Sequence, residues 1–189
     1  NSNGRYGQGG LIRERFARAQ SAVKAAGLGG VLCFNVDNVR YVTGTHIGEW
    51  VRDKFDRYAL CPRDGEPYLW DPAPPAKRIS SPWIADRVGA PISTMQGALP
   101  PSIGAEKDFA RQIRKMLVHY GIEKEPIGID LLELPMLRAL DANPVRWVEL
   151  DVGAVGLDDR EGGVAQLEIV DPPPGADQGD AALCAGHGS

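Results

Sequence analysis

The feature that most constrains the fold of this chain is a short apolar run, Val-Leu-Cys-Phe at residues 31–34, with no polar residue inside it. A strand with one face in water alternates apolar and polar side chains, so an unbroken run predicts a strand covered on both faces. A helical pattern precedes it over residues 11–26, and Gly27 follows as a stop signal. The polar residues 35–38 then offer caps for a short helix that ends at Gly44. This part of the chain predicts a buried strand between two helices.

A β-hairpin is predicted next, from two short apolar segments at residues 57–61 and 67–70. Asp64 and Gly65 between them supply the positive φ angles that a tight turn needs. Prolines at positions 72, 74, 75 and 82 then predict an irregular segment with room for at most one short helix, around residues 83–87. A weak strand is predicted over residues 91–95.

Helices and apolar strands alternate in the second half of the chain. The clearest helix is predicted from Ser102, which can cap it, to Gly121, which can end it, with acidic residues near its start. The remaining elements are a strand at residues 127–130, a helix at 133–141 and a strand at 145–150. This alternation predicts an α/β fold, and the hairpin makes the sheet mixed. We therefore expect a mixed sheet flanked by helices.

The domain organisation follows from length and from where the patterns fade. A chain of 189 residues with 43% hydrophobic residues can bury one core of good size but not two. Residues 1–10 are rich in Gly and Asn and are predicted to be disordered. We expect one domain over residues 11–155 and a poorly structured tail over residues 156–189, where Gly and Pro are frequent.

Composition excludes several classes of partner. The formal net charge of −4 gives no broad attraction for nucleic acid or for an anionic membrane. No apolar run approaches the roughly 18 residues of a membrane-spanning helix, and no basic-then-apolar segment opens the sequence, although a first residue of Asn rather than Met leaves a removed leader open. The three cysteines (Cys33, Cys61 and Cys184) are an odd number without CxxC spacing, which predicts buried thiols in a reducing cytoplasm.

The sequence shows no catalytic motif and no metal-ligand motif. The three histidines (His46, His119 and His187) are not part of a HExxH pattern, and no Gly-x-Ser-x-Gly element is present. His119 falls in the last turn of the predicted helix, where it suits a surface position. Alone, this chain is predicted to catalyse nothing and to bind no metal.

The loop at residues 45–57 is the one candidate functional segment, because it places aromatic surface and positive charge between two rigid elements. The candidate substrate-binding residues are His46, Trp50, Arg52 and Arg57. The structural alternative is that Trp50 and Phe55 pack the loop onto the core. In that case, Arg57 would pair with Asp53 or Asp56.

The order of these elements resembles the N-terminal domain of the creatinase, prolidase and aminopeptidase P superfamily of metallopeptidases. The resemblance covers residues 12–155 and rests most on Asn-Val-Arg-Tyr-Val-Thr-Gly at 38–44 and on the hairpin at 57–67. Trp50 together with the two hairpin strands is also similar to dimethylsulfoniopropionate lyases built on this scaffold. After residue 155 the sequence departs from the family pattern. That departure leaves open a truncated piece, a frame-shifted reading or a stand-alone protein.

The resemblance implies a function that depends on a second domain. In full-length relatives a "pita-bread" catalytic domain follows and carries two metal ions on two Asp, one His and two Glu. Those ligand motifs are missing from this chain, so a divalent metal, Mn or Zn, is expected in the missing domain. The N-terminal domain of such relatives builds the homodimer and lends a loop to the active site of the partner. Trp50 would then form an apolar wall, and Arg52 or Arg57 could hold a substrate carboxylate, with His46 as a third candidate.

Three functional hypotheses result. The first is the non-catalytic N-terminal domain of a dimeric Xaa-Pro peptidase, which acts on a small peptide. The second is the same domain in a dimethylsulfoniopropionate lyase. The third is a free-standing dimerisation or binding module.

Overall fold

The computed structural model describes residues 8–46, 57–92, 104–131, 134–142 and 145–150, and a six-stranded sheet forms its central layer. The strands are β1 (Gly30–Cys33), β2 (Tyr58–Pro62), β3 (Tyr68–Trp70), β4 (Val88–Gly89), β5 (Ile127–Ile129) and β6 (Trp147–Glu149). The helices are α1 (Gln8–Ala25), α2 (Val36–Thr43), α3 (Pro74–Ser80), α4 (Ala105–His119) and α5 (Leu134–Asp141), and Pro82–Arg87 forms a 3-10 helix.

The sheet is mixed, as the sequence predicts. Its strand order is β4-β3-β2-β1-β5-β6, so β1 lies inside the sheet, between β2 and β5. β1 runs antiparallel to β2, and β2 runs antiparallel to β3, which confirms the hairpin. The other three pairings are parallel. The fold class is therefore α/β with a mixed sheet flanked by helices.

Each face of the sheet has its own hydrophobic core. Val31 and Cys33 of β1 face one core, which also contains apolar residues of α1 and α2. Leu32 and Phe34 face the opposite core, which contains buried residues of α4 and α5. Successive side chains of a strand point to opposite faces. A strand between two cores must therefore be apolar at every position, which explains the unbroken run at residues 31–34.

The helix α2 begins and ends at the predicted residues. The Asn35 side chain accepts a hydrogen bond from the Asp37 amide at 2.9 Å, and the Gly44 amide donates to the Arg40 carbonyl at 2.8 Å. Gly44 has a left-handed φ of 60°. A Cβ atom here would lie 2.6 Å from a side-chain carbon of Ile12, so glycine also allows α1 to approach closely.

One prediction for the proline-rich segment was wrong, and a second is only partly covered by the described residues. At most one short helix was expected there, around residues 83–87, but α3 also forms, at Pro74–Ser80. Its prolines lie in the first turn, where the missing amide hydrogen costs nothing. The next strand is β4 at Val88–Gly89, earlier than the predicted 91–95, of which residues 93–95 lie outside the described part.

The predicted chain ends are only partly covered. α1 begins at Gln8, three residues before the expected boundary at 11. The predictions for residues 1–7 and for the tail after 155 concern residues outside the described part.

Candidate functional site

The structure describes two of the four predicted site residues. His46 is exposed and is the last described residue before position 57, and Arg57 is the first described residue after it. Trp50 and Arg52 lie outside the described residues. The candidate site is therefore described through the two ends of the predicted loop, and the substrate-binding role of all four residues stays a prediction.

Arg57 is buried and held by an acid. It is 6% exposed, and its Nε donates to Oδ2 of Asp71, which is fully buried. The other carboxylate oxygen of Asp71 accepts a hydrogen bond from the Ala73 amide at 2.9 Å. Nη1 of Arg57 has no hydrogen-bond partner, which leaves one buried donor of this guanidinium unused. The described partner of Arg57 is thus Asp71, whereas Asp53 and Asp56 lie outside the described residues.

Sequence reasoning missed Asp71, although the hairpin contained a signal for it. Tyr58 pairs with Trp70 in the antiparallel β2–β3 ladder. The residues just outside this pair are Arg57 and Asp71, so the register brings their opposite charges together. Once the strands are aligned, this pairing can be derived from the sequence.

Lys77, on α3, contacts one end of the predicted loop directly and also contacts Asp71, the partner of Arg57 at the other end. Its Nζ donates a hydrogen bond to the His46 carbonyl and lies 4.0 Å from Oδ2 of Asp71. The side chain is only 14% exposed. Burial lowers the pKa of Lys77, the charge of Asp71 acts to raise it, and the charge of Arg57 lowers it further. This ammonium is therefore a partly desolvated cation placed between the two loop ends.

Further contacts hold the first loop end. The hydroxyls of Thr45 and Ser81 are 3.1 Å apart, and both residues are buried. The indole Nε1 of Trp83 donates to the Thr43 carbonyl at 2.8 Å. We refer to residues 71–83, which supply Asp71, Lys77, Ser81 and Trp83, as the anchor segment. The contacts of Asp71, Lys77 and Ser81 join the anchor segment to the ends of the predicted loop, and that of Trp83 joins it to the last residue of α2, just before the loop.

A second buried carboxylate, Asp130, lies at the end of β5. It accepts hydrogen bonds from the Phe34 amide at 2.7 Å, the Asn35 amide at 3.1 Å and Nδ2 of Asn38 at 2.8 Å. Burial raises the pKa of Asp130, and the hydrogen bonds act in the opposite direction. Asn38 opens the family-like motif at 38–44, and its described role is to bind this carboxylate. Asp130 thereby joins the start of α2 to the sheet.

The predicted burial of the described cysteines and the predicted surface position of His119 are confirmed, and the reducing cytoplasm stays a prediction. Cys33 and Cys61 are free and buried, and burial raises the pKa of both thiols, that of Cys61 to about 12. His119 is exposed in the last turn of α4. Cys184 and His187 lie outside the described residues.

Among the residues that the structure describes, no group of three or more His, Cys, Asp or Glu side chains could hold a metal ion. The described residues therefore do not fit the metal that the family resemblance implies, and the expectation that it belongs to another domain stays a prediction. No helix in the same ranges is long and apolar enough to cross a membrane.

The fold is an α/β domain with a mixed sheet, and this fold is similar to that of solved N-terminal domains of Xaa-Pro peptidases. The N-terminal domain of the cytoplasmic peptidase PepQ from Mycobacterium tuberculosis H37Rv is similar with a TM-score of 0.50 and 17% identity. That match covers 74% of this chain and 94% of that domain. A Streptococcus pyogenes Xaa-Pro aminopeptidase structure is similar with a TM-score of 0.50 and 14% identity, over 75% of this chain and 92% of that one.

Other comparisons add less. An Xaa-Pro dipeptidase from Bacillus anthracis has a TM-score of 0.49 and 15% identity, and the match covers 75% of this chain but 34% of that one. No protein-family model matches the sequence. No curated protein matches it either. Identities this low show the fold alone, so the predicted resemblance to the superfamily is confirmed at the level of the fold.

Proposed function

We propose that this chain is the non-catalytic N-terminal domain of a dimeric Xaa-Pro metallopeptidase, and that its loop at residues 45–57 forms part of the substrate wall. The observation that carries the proposal is the fold match over 94% of an isolated N-terminal domain of a peptidase. The anchored loop ends support it, because a binding loop has to be held by a rigid scaffold.

The roles within the loop can be divided further. Nε of Arg57 is already bound to Asp71, and the side chain is buried. Arg52 is therefore our first candidate for the substrate carboxylate, with the unused Nη1 of Arg57 as the second. Trp50 would supply the apolar wall against the side chain of the substrate. His46, which is exposed and lies in the same loop, would be a further polar contact.

The proposal assigns the chemistry to another domain. A divalent metal, Mn or Zn, would be held there on two Asp, one His and two Glu, and this chain would contribute binding and homodimer contacts only. We also place the protein in the cytoplasm, because its two described cysteines are free thiols and the name of one similar structure describes a cytoplasmic peptidase.

The test begins with the gene, read past the codon for residue 189. An open frame that encodes the five metal ligands would exclude the free-standing module. The enzyme it encodes would then be assayed on an Xaa-Pro dipeptide and on dimethylsulfoniopropionate. Cleavage of the dipeptide, abolished by a chelator and restored by Mn or Zn, is the expected result. Turnover of the sulfonium compound alone would favour the lyase.

Two variants of that enzyme test the substrate wall. Arg52→Ala removes a charged hydrogen-bond donor worth about 1.5–3 kcal/mol, so we expect KM to rise about 10- to 100-fold with a smaller change in kcat. Trp50→Ala is expected to raise KM in the same direction. Arg63→Ala, in the β2–β3 turn, is the matched control and is expected to leave KM unchanged. Unchanged KM in both loop variants would contradict the substrate-wall role.

A further inference from the structure

The two ends of residues 47–56 are attached to the same short stretch of chain. On one side, the anchor segment contacts Thr45 and His46 through Ser81 and Lys77. On the other side, it contacts Arg57 through Asp71. The two ends are therefore not held independently of one another.

Lys77 is the described side chain that contacts both attachments. Its Nζ donates to the His46 carbonyl and lies 4.0 Å from the Asp71 carboxylate that binds Arg57. The cations of Arg57 and Lys77 both approach the same carboxylate oxygen, Oδ2 of Asp71. The ammonium of Lys77 is partly desolvated, which strengthens its interaction with a carboxylate and with a carbonyl oxygen.

The helix that carries Lys77 contributes little to either hydrophobic core. None of the residues of α3 is buried, and Ile79 on this helix is 83% exposed. Loss of the Lys77 side chain would leave the Arg57–Asp71 pair and both cores in place. Its described contacts therefore fit a role in local positioning better than a role in global stability.

We propose that Lys77 is a positioning residue that fixes the two ends of residues 47–56 relative to each other by bridging the His46 carbonyl and Asp71. The consequence for substrate binding rests on the proposed function, because that segment carries Trp50 and Arg52. The bridge itself can be tested on the 189-residue chain without any catalytic activity.

The experiment is limited trypsin digestion of the folded chain, since trypsin cuts after Arg52 and Lys54 inside the bridged segment. Lys77→Met keeps the length of the side chain but removes the donor and the charge. We expect cleavage after Arg52 and Lys54 to become about tenfold faster, because the ends at His46 and Arg57 are then held together less tightly, and cleavage by a protease follows how often its site is accessible. Lys77→Arg, which keeps the charge and the donor, is expected to restore a rate close to that of the wild type.

The matched control is Arg78→Met, on the same helix. Arg78 donates to the Val88 carbonyl at 3.0 Å and contacts neither loop end, so its loss is expected to leave the cleavage rate unchanged. Cleavage after Arg18, within α1, reports opening of the chain outside the bridged segment in the same digest. The ratio of the two rates therefore remains informative even if a variant is less stable.

An unchanged ratio in Lys77→Met would overturn the proposal, as would an equal rise in Arg78→Met. The test is independent of the peptidase assignment. If the ratio rises but Arg52→Ala leaves KM unchanged in the full enzyme, the bridge stands and the substrate-wall function fails. If Arg52→Ala raises KM but Lys77→Met leaves the cleavage ratio unchanged, the substrate-wall function stands and the bridge fails.

Discussion

At the scale of single residues, Asp130 joins two parts of the chain that are far apart in sequence. Its carboxylate accepts hydrogen bonds from the amides of Phe34 and Asn35 and from the Asn38 side chain. Phe34 and Asn35 lie between β1 and α2, Asn38 lies in the first turn of α2, and β1 lies directly beside β5. One buried acid thus satisfies the polar groups at the start of a helix and also fixes that helix against the sheet.

The titration of Asp130 should be visible in stability. Burial raises its pKa, so the folded state holds this proton more tightly than the unfolded state. The stabilisation from this group is then fully present below the unfolded pKa of about 3.9 and is lost as the pH rises through the folded pKa. We expect the free energy of unfolding of the wild type, relative to Asp130→Asn, to fall as the pH rises above about 4 and through the raised folded pKa of Asp130. Urea unfolding at a series of pH values measures this difference. A difference that stays constant or grows with pH would contradict the assignment.

The two described thiols should be unreactive in the folded protein. The thiolate is the reactive form of cysteine, and burial raises the pKa of Cys33 and Cys61. We expect iodoacetamide at about pH 8 to alkylate neither residue in the native chain and both in urea. Peptide mass spectrometry gives the extent of modification at each position. Rapid native labelling of Cys61 would show that β2 opens far more often than its burial predicts.

At the scale of elements, α4 shows how a single helix face supports one core. Phe109 is fully buried, with its ring centroid 5.9 Å from that of Phe34 and 5.4 Å from that of Tyr58. Ile113 and Leu117 continue the same face, and Val118 points away from it with 53% exposure. The helix therefore contributes to the core through residues three to four positions apart.

A pair of truncations on α4 tests this division. Phe109→Ala should lower the free energy of unfolding by about 3–5 kcal/mol, because it leaves a cavity between aromatic rings. Val118→Ala, on the exposed face of the same helix, should change it by less than about 0.5 kcal/mol. Denaturant unfolding followed by circular dichroism measures both variants. A small effect of Phe109→Ala would mean that the core can close around the lost ring.

Sequence patterns predicted those elements whose cause is local. The caps of α2 and the Asp-Gly turn of the hairpin lie within a few residues of the structure they determine, so they could be identified directly. The helix α3 was missed because its prolines were interpreted as breakers, although the first turn of a helix tolerates them. For α4, Ser102 was the predicted cap. Ser102 lies outside the described residues, and Gly104 precedes the helix without a side-chain cap.

The candidate site was predicted less completely than the fold, for a related reason. The loop itself was recognised from its composition, but its anchors are distant in sequence. Asp71 is 14 residues from Arg57, and Lys77 is 31 residues from His46. Contacts over such distances depend on how β2, β3 and α3 pack, and composition does not determine that. The strand register alone would have revealed the contact between Asp71 and Arg57. The contact between Lys77 and His46 could be found only from the position of α3.

At the scale of the whole molecule, protection from solvent should decrease from the middle of the sheet to its edges. β1 has a partner strand on each side and a core on each face, and all four of its residues are buried. β4 is an edge strand of two residues.

Amide hydrogen exchange tests this gradient. We expect the amides of β1 to exchange most slowly among the strands and those of β4 to exchange fastest, because central strands open only with the whole fold. Mass spectrometry of peptides or two-dimensional NMR measures the rates. Slower exchange in β4 than in β1 would mean that the edge of the sheet is covered by something further.

The pairing of β1 also bears on how the chain is made. Val31 meets Cys61 on one side, but on the other side it meets Gly128, which is 97 residues later (128 − 31). A ribosome adds roughly 5 to 20 residues per second, so one edge of β1 waits roughly 5 to 20 s for its neighbour to be synthesised. During that interval the nascent chain displays an apolar strand with unpaired backbone groups. The early part of the polypeptide is therefore the part that a ribosome-associated chaperone would most need to shield.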